Sequence, residues 1–303
     1  MTSIPWAVVL AGGDGDRVSA MTRDAEGGVV PKQYWCCDGR PPMVRWALAR
    51  ARAIAPASRV LVVVTEAHRR FCQRHLADVP HQNILVQPEN RGTAAGVLRA
   101  LVEIQSRGDT STPVVLLPSD HYVSQEQPLH DALTVAVGAA CHGDPPVVLL
   151  GISPSAPEAG YGWILPDAPG VVARVQRFVE KPPAQRVNDM IRNGALINSF
   201  ILAARAHALL SIIGRVFPDI MHAFQRLAHD PGDGPAAHRL YAGLPFMDLS
   251  RDVLQRATMF LSVVRVPPCG WSDLGTPERL LQYLGRAPHG PSLTPVPFGV
   301  AAA

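Results

Sequence analysis

The chain has 303 residues, 47% of them hydrophobic and 17% charged, which is ample for a buried core and excludes a disordered polypeptide. Its formal net charge is only +3, with arginines and histidines scattered and no dense basic block, so wholesale nucleic-acid binding is not expected. No run of about 18 apolar residues is present, which argues against a membrane span.

The first apolar run, Trp6 to Leu10, reads as a buried strand. It breaks at Gly12-Gly13 and has no basic segment ahead of it, so it does not read as a signal peptide. A helix is expected over Met43 to Ala53 and a strand over Val60 to Val64. Glu66 to Leu76 reads as helix, Ile84 to Val86 as a short strand, and Thr93 to Arg107 as helix from the spacing of Val97, Leu98, Leu101 and Ile104. Val114 to Leu117 is a strand ended by Pro118, Leu129 to Cys141 a helix, and Val147 to Leu150 a strand. This β-α-β-α order predicts a mainly parallel sheet with helices on both faces.

Beyond Gly151 the rhythm changes. "GYGWILP" and "VQRFVEKP" read as strands joined by tight turns, and helices are expected near Ala184 to Arg192, Ala206 to Ile213 and Ile220 to Ala228. A last strand spans Met259 to Val266, and Asp230 to Pro235 is the best loop candidate. The five cysteines, Cys36, Cys37, Cys72, Cys141 and Cys269, form no CxxC pair. Reduced thiols in a cytoplasmic protein are expected rather than a disulfide framework or a zinc site.

Ligands of open parallel sheets sit at the carboxyl ends of the strands, and four polar clusters fall there. Gly12 to Arg17, after the first strand, lacks both the GxGxxG and the GxxxxGK[ST] spacing but offers consecutive backbone N–H donors, an anion nest. "VPKQYW" supplies Lys32, a phosphate-binding lysine or simply a solvated one. In "PSDHYV", Asp120 directly follows a strand, where it suits a hard cation such as Mg²⁺ or the N-cap of the next helix; His121 reads as a structural hydrogen-bonder. "GWSDLGT" places Asp273 after another strand. Two strand-end aspartates with an arginine and a lysine in separate loops make a constellation suited to phosphoryl transfer. Thr93 in "QPENRGTA" is expected to cap a helix whose N-terminus favours an anion. Glu180 and Lys181 are neighbours, so on a continuing strand only one points inward; Pro182 suggests that the strand has ended.

Together these stretches resemble the sugar-1-phosphate nucleotidylyltransferases, most closely the mannose-1-phosphate guanylyltransferases. The matching motifs run in order from residue 10 to residue 275: "LAGGDGDR", "PKQYW", "QPENRGTA", "PSDHYV", "GYGWI", "FVEKP", "INSF" and "GWSDLG". The resemblance implies a three-layer α/β/α nucleotide-diphospho-sugar transferase fold with a mostly parallel central sheet. It implies a nucleotidyltransferase domain over residues 1–287, followed by a proline-rich C-terminal tail, 288–303. Long family members carry a further C-terminal isomerase domain, which a chain of this length is expected to lack.

The implied reaction joins a nucleoside triphosphate, GTP by resemblance, to a sugar-1-phosphate, mannose-1-phosphate by resemblance, with release of pyrophosphate. Small molecules are the expected partners, with a homodimer as the expected assembly if there is one. By resemblance, Leu10, Ala11, Gly12 and Gly13 border base and ribose, Gly15 and Arg17 hold the triphosphate, and Lys32 neutralises charge at the α-phosphate. Gln87, Gly92 and Thr93 border the base. Asp120 and Asp273 bind Mg²⁺. Gly162, Glu180 and Asn198 read sugar hydroxyls, with Lys181 near the sugar phosphate. One departure stands out: Asp16 occupies a position where the family pattern GxGTR has threonine. A carboxylate ~4 Å from a phosphate oxygen, at an effective dielectric of ~20, is repelled by roughly 4 kcal/mol. The alternative reading is therefore a catalytically impaired nucleotide-binding regulatory protein on the same fold.

Overall fold

Valine- and leucine-rich strands buried on both faces need apolar cover above and below, and the fold supplies it with helices on each side. The computed structural model describes residues 4–36, 39–227 and 234–285. Cys37, most of the expected 230–235 loop, the last residue of the expected 220–228 helix and the proline-rich tail lie outside the described residues.

The N-terminal half alternates β1 (Trp6–Leu10), α1 (Met43–Ile54), β2 (Val60–Thr65), α2 (Arg69–His75), β3 (Ile84–Gln87), α3 (Thr93–Ser106), β4 (Pro113–Pro118), α4 (Glu126–His142) and β5 (Val147–Ile152). There follow β6 (Gly162–Pro166), β7 (Val172–Glu180), α5 (Ala184–Arg192), β8 (Leu196–Arg205), α6 (Ala206–Val216), α7 (Pro218–Arg226), α8 (Pro235–Gly243), β9 (Leu261–Val266) and α9 (Pro277–Leu284). No helix among the described residues is long and apolar enough to cross a membrane.

The strands form one sheet in the order β3-β2-β1-β4-β8-β5-β9-β7-β6. Alternate residues of each strand serve opposite faces, as the pleat requires. Val8, Leu61 and Leu116 pack with Leu98 and Leu101 of α3 and Leu209 and Ile213 of α6. Ala7, Val9, Val62 and Leu117 pack with Val44 and Leu48 of α1 and Leu129 and Leu133 of α4. Each such valine or leucine contributes about 1.5–3 kcal/mol by leaving water.

The expectation of a mostly parallel sheet needs correction. Strands β3, β2, β1 and β4 are parallel, as are β5 and β9. Strand β8, which the sequence did not reveal, runs antiparallel between β4 and β5, and β7 pairs antiparallel with β6 and β9. The sheet is therefore mixed. Helix α4 starts three residues before the expected Leu129 because Pro128 is tolerated within a first helical turn. Helix α8 was also missed. The last strand begins at Leu261 rather than Met259, because a single tight turn occupies Thr258–Phe260.

Candidate active site

The carboxyl ends of β1, β3 and β4 open into a cavity of about 330 Å³ walled on its far side by β6, β7 and β8. Of the residues singled out in the sequence, Leu10, Gly12, Gly13, Gly15, Arg17, Gln87, Gly92, Thr93, Asp120, Gly162, Glu180, Lys181, Asn198 and Asp273 all line it. Ala11 does not: it is fully buried, and its carbonyl accepts from Gln33 Nε2 at 3.0 Å and Tyr34 Oη at 3.3 Å. Lys32 is also buried and reaches the cavity from behind, through Asp120.

The glycine loop is held from below. Gln33 Nε2 also donates to the Gly13 carbonyl at 2.8 Å. Gly15 has φ +72°, and a Cβ there would lie 3.2 Å from the Lys32 backbone nitrogen, so only glycine lets the loop rest on Lys32 without strain. Asp14 Oδ2 accepts from Asn90 Nδ2 at 2.7 Å, and Oδ1 lies 3.8 Å from His68 Nε2. Asp14 thus ties the glycine loop to the loop that enters α3. Burial pushes the His68 imidazole below its usual range, against the pull of Asp14.

Asp16 opens a short turn, Asp16–Val18, with an exposed side chain, and is not among the cavity-lining residues. Its carboxylate is screened by water, so the repulsion weighed from the sequence does not apply. Asp16→Thr is accordingly expected to change nucleotide affinity by less than about threefold, as exposed charges do. Isothermal titration with GTP checks this, and a larger gain would place the carboxylate against the ligand.

The two strand-end aspartates are brought together by backbone. Tyr122 and Ser272 form an antiparallel bridge with both hydrogen bonds at 2.9 Å, which sets the loop after β4 beside the loop after β9. Lys32, 4% exposed, spans the two: its Nζ lies 2.8 Å from Asp120 Oδ2 and donates to the Asp273 carbonyl. Burial would raise the Asp120 carboxyl, but Lys32, with smaller help from His121 and a backbone hydrogen bond, holds the group below the ordinary carboxylate range. Arg50 of α1 braces the same loop, donating to the His121 carbonyl at 2.9 Å and to Glu126. The His121 ring is pushed down to about 4 by burial, so it is neutral at pH 7. Trp271 Nε1 donates to its Nδ1 at 3.3 Å, leaving Nε2–H toward Asp120 Oδ1 at 3.7 Å. His121 is a hydrogen-bonder, as its sequence setting suggested.

Asp273 Oδ1 accepts from Tyr161 Oη at 3.0 Å, from the Gly275 N–H at 3.1 Å and from Arg279. Its Oδ2 lies 4.0 Å from Arg17 Nη2. Two carboxylates on one cavity, each with one oxygen not bonded to its own nearest cation, fit Mg²⁺, which uses one or two carboxylates and completes its shell with phosphate oxygens and water.

The opposite wall is shaped by backbone strain. Among the described residues, the only non-glycine residues with positive φ are Lys181 (48°), Phe200 (62°) and Leu274 (46°), and each adjoins the cavity or lines it. Such strain concentrates at functional sites. At Lys181 it ends β7 and turns the ammonium back, 2.7 Å from Glu180 Oε1, so both neighbours face the cavity. At Phe200 it forms a bulge in β8, pinned by Ser199 Oγ donating to the Leu150 carbonyl at 2.7 Å. The bulge aims Asn198 and Phe200 at the cavity. Tyr161, Phe200, Phe246 and Arg279 were missed in the sequence. Tyr161 lies inside one of the sequence motifs, whereas Arg279 carries no local signal because it reaches Asp273 from the first turn of α9.

The nucleotidyl transferase family profile matches residues 6–286, so the chain belongs to the nucleotidyl transferase family. It is 29% identical over 281 residues to a mannose-1-phosphate guanylyltransferase of Klebsiella pneumoniae, covering 89% of this chain and 58% of that one. It is 32% identical over 295 residues to the xanthan biosynthesis protein XanB of Xanthomonas campestris pv. campestris (strain B100), covering 93% of this chain and 61% of the relative. The chain thus spans about three-fifths of the length of these curated relatives. A crystal structure described as a mannose-1-phosphate geranyltransferase from Thermus thermophilus superposes with a TM-score of 0.80 at 27% identity, over 95% of this chain and 81% of that one. A UDP-glucose pyrophosphorylase complexed with UDP-glucose, at 12% identity and a TM-score of 0.59, shares the fold. The architecture is that of the nucleotide-diphospho-sugar transferases.

Proposed function

We propose that the chain forms a nucleotide sugar and pyrophosphate from a nucleoside triphosphate and a sugar-1-phosphate, with GTP and mannose-1-phosphate as the pair. The observation that carries this is Lys32, buried between the two strand-end aspartates and beneath a glycine loop that lines the same cavity. A sugar-phosphate oxygen forms the new bond to the α-phosphorus while the bond to the β-phosphate oxygen breaks, and pyrophosphate carries away the electron pair. No protein nucleophile is required; position and positive charge suffice. In this reading, the N–H groups of the glycine loop and Arg17 hold the triphosphate, and Lys32 meets the charge that develops as the bond to pyrophosphate breaks. Glu180 and Asn198 take sugar hydroxyls, and Lys181 the sugar phosphate. Asp120 and Asp273 would hold Mg²⁺, whose charge would offset that on the phosphoryl oxygens.

The test is pyrophosphate release with Mg²⁺ across four nucleoside triphosphates and a panel of sugar-1-phosphates. Turnover highest with GTP and mannose-1-phosphate is expected. A maximum at another pair would keep the reaction and replace the substrates. Silence across the panel, with nucleotide still bound, would favour the regulatory alternative.

A further inference from the structure

Each of the two aspartates already has a cation of its own. Lys32 serves Asp120. Arg279 serves Asp273: its Nη1 donates to Oδ1, and the side chain is only 16% exposed. The guanidinium is fixed on every side. Its carbon lies 4.6 Å over the Tyr161 ring, the Tyr161 hydroxyl bonds both Arg279 and Asp273, and Nε donates to Thr276 Oγ1 at 3.3 Å. Behind it, Leu280 and Tyr283 anchor α9 in a cluster with Trp46 and Tyr122. Arg279 is not among the cavity-lining residues, so it is not placed to receive a substrate directly. Its ion pairs are with Asp273 and, more loosely, with Glu158 Oε2 4.0 Å from Nη2.

We infer that Arg279 is a built-in counter-ion that keeps the Asp120–Asp273 pair from capturing a free divalent cation, so that the cation enters on the phosphates of the nucleotide. The inference rests on these carboxylates being the cation site of the proposed function. A pair of carboxylates balanced by two fixed cations, with the exposed Arg17 also 4.0 Å from Asp273 Oδ2, draws a dication weakly, and a strongly hydrated ion has little reason to shed its water there. A bound triphosphate adds the missing negative charge. Removing Arg279 unbalances the site in favour of the bare ion.

The experiment titrates the purified chain with Mn²⁺ alone, the free ion being measured by electron paramagnetic resonance. R279Q is expected to bind Mn²⁺ at least about tenfold more tightly than the wild type. R279K, which keeps the charge, is expected to match the wild type, and adding D273N to R279Q is expected to abolish the gain. Circular dichroism checks folding, and R279M, which keeps the apolar stem, replaces R279Q if glutamine unfolds the chain. No gain in a folded variant, or a gain that survives D273N, would overturn the inference. The titration needs no turnover. An inactive chain that still shows the gain would reject the proposed reaction and keep the counter-ion, whereas an active chain without it would do the reverse.

Discussion

Lys32→Met is expected to lower kcat for pyrophosphate release by about 10²–10³-fold, the loss typical of deleting one preorganised charge-stabilising donor. The ammonium is unusual in being almost wholly buried while touching both aspartate loops: the carboxylate of one and the carbonyl of the other. Methionine fills the space but leaves Asp120 without its nearest cation. Burial then dominates and raises the Asp120 carboxyl, which Lys32 now holds below its ordinary range. The acid limb of the rate profile is therefore expected to move to higher pH in the variant. Because Asp120 is 36% exposed, water covers part of the deficit, and the stability loss is expected to be about 1–2 kcal/mol rather than the larger cost of breaking a fully buried pair. Steady-state kinetics across pH, with a thermal melt, measure all three effects. A kcat within about threefold of wild type would remove Lys32 from the machinery.

Gly92→Ala is expected to cost about 3–5 kcal/mol, from left-handed backbone and a forced overlap. Gly92 has φ +88°, and a Cβ there would stand 2.3 Å from the Met247 carbonyl oxygen, a backbone atom that cannot swing away. That carbonyl also accepts from the Ala94 N–H, while Met247 N–H bonds Arg91 and Leu249 N–H bonds Thr93 Oγ1. The substitution parts this seam, and with it the wall that carries Thr93 and Phe246. The melting temperature is expected to fall by roughly 5–10 °C, and nucleotide affinity to weaken with it. A melt within about 2 °C of wild type would show that the seam yields cheaply.

The contrast between the two halves of the chain shows what a sequence displays. Val60 to Val64 and Val114 to Leu117 are uninterrupted β-branched and leucine runs bounded by turn residues, and they are strands at those places. "LINSFILAAR" is also a strand, yet it carries Asn198 and Ser199 in its middle and alanines near its end, and it alternates on neither face because both are buried. Its polar residues are satisfied by a bulge that periodicity cannot express. Helix α8 does carry a local signal, since Pro235 at its first turn is an ordinary start residue.

The site divides in the same way. Lys32, Asp120 and Asp273 were found because each follows a strand or sits in a recognisable motif. Gln33, which holds the glycine loop, sits beside Lys32 as an uncharged amide whose two carbonyl partners lie about twenty residues away, so nothing local marks it. Arg279 depends on where α9 lands after the Asp273 loop, which no local pattern encodes.

The place of β8 has a consequence for how the chain is made. Strand β4 ends at Pro118 and β5 at Ile152, yet the strand that joins them begins only at Leu196. On a ribosome adding about 5–20 residues per second, β4 stands for roughly 4–16 s with one edge unpaired. An apolar, unpaired strand edge is a template for other chains. Nascent copies are therefore most vulnerable to association during this interval, and any fragment that stops short of Leu196 retains that open seam permanently.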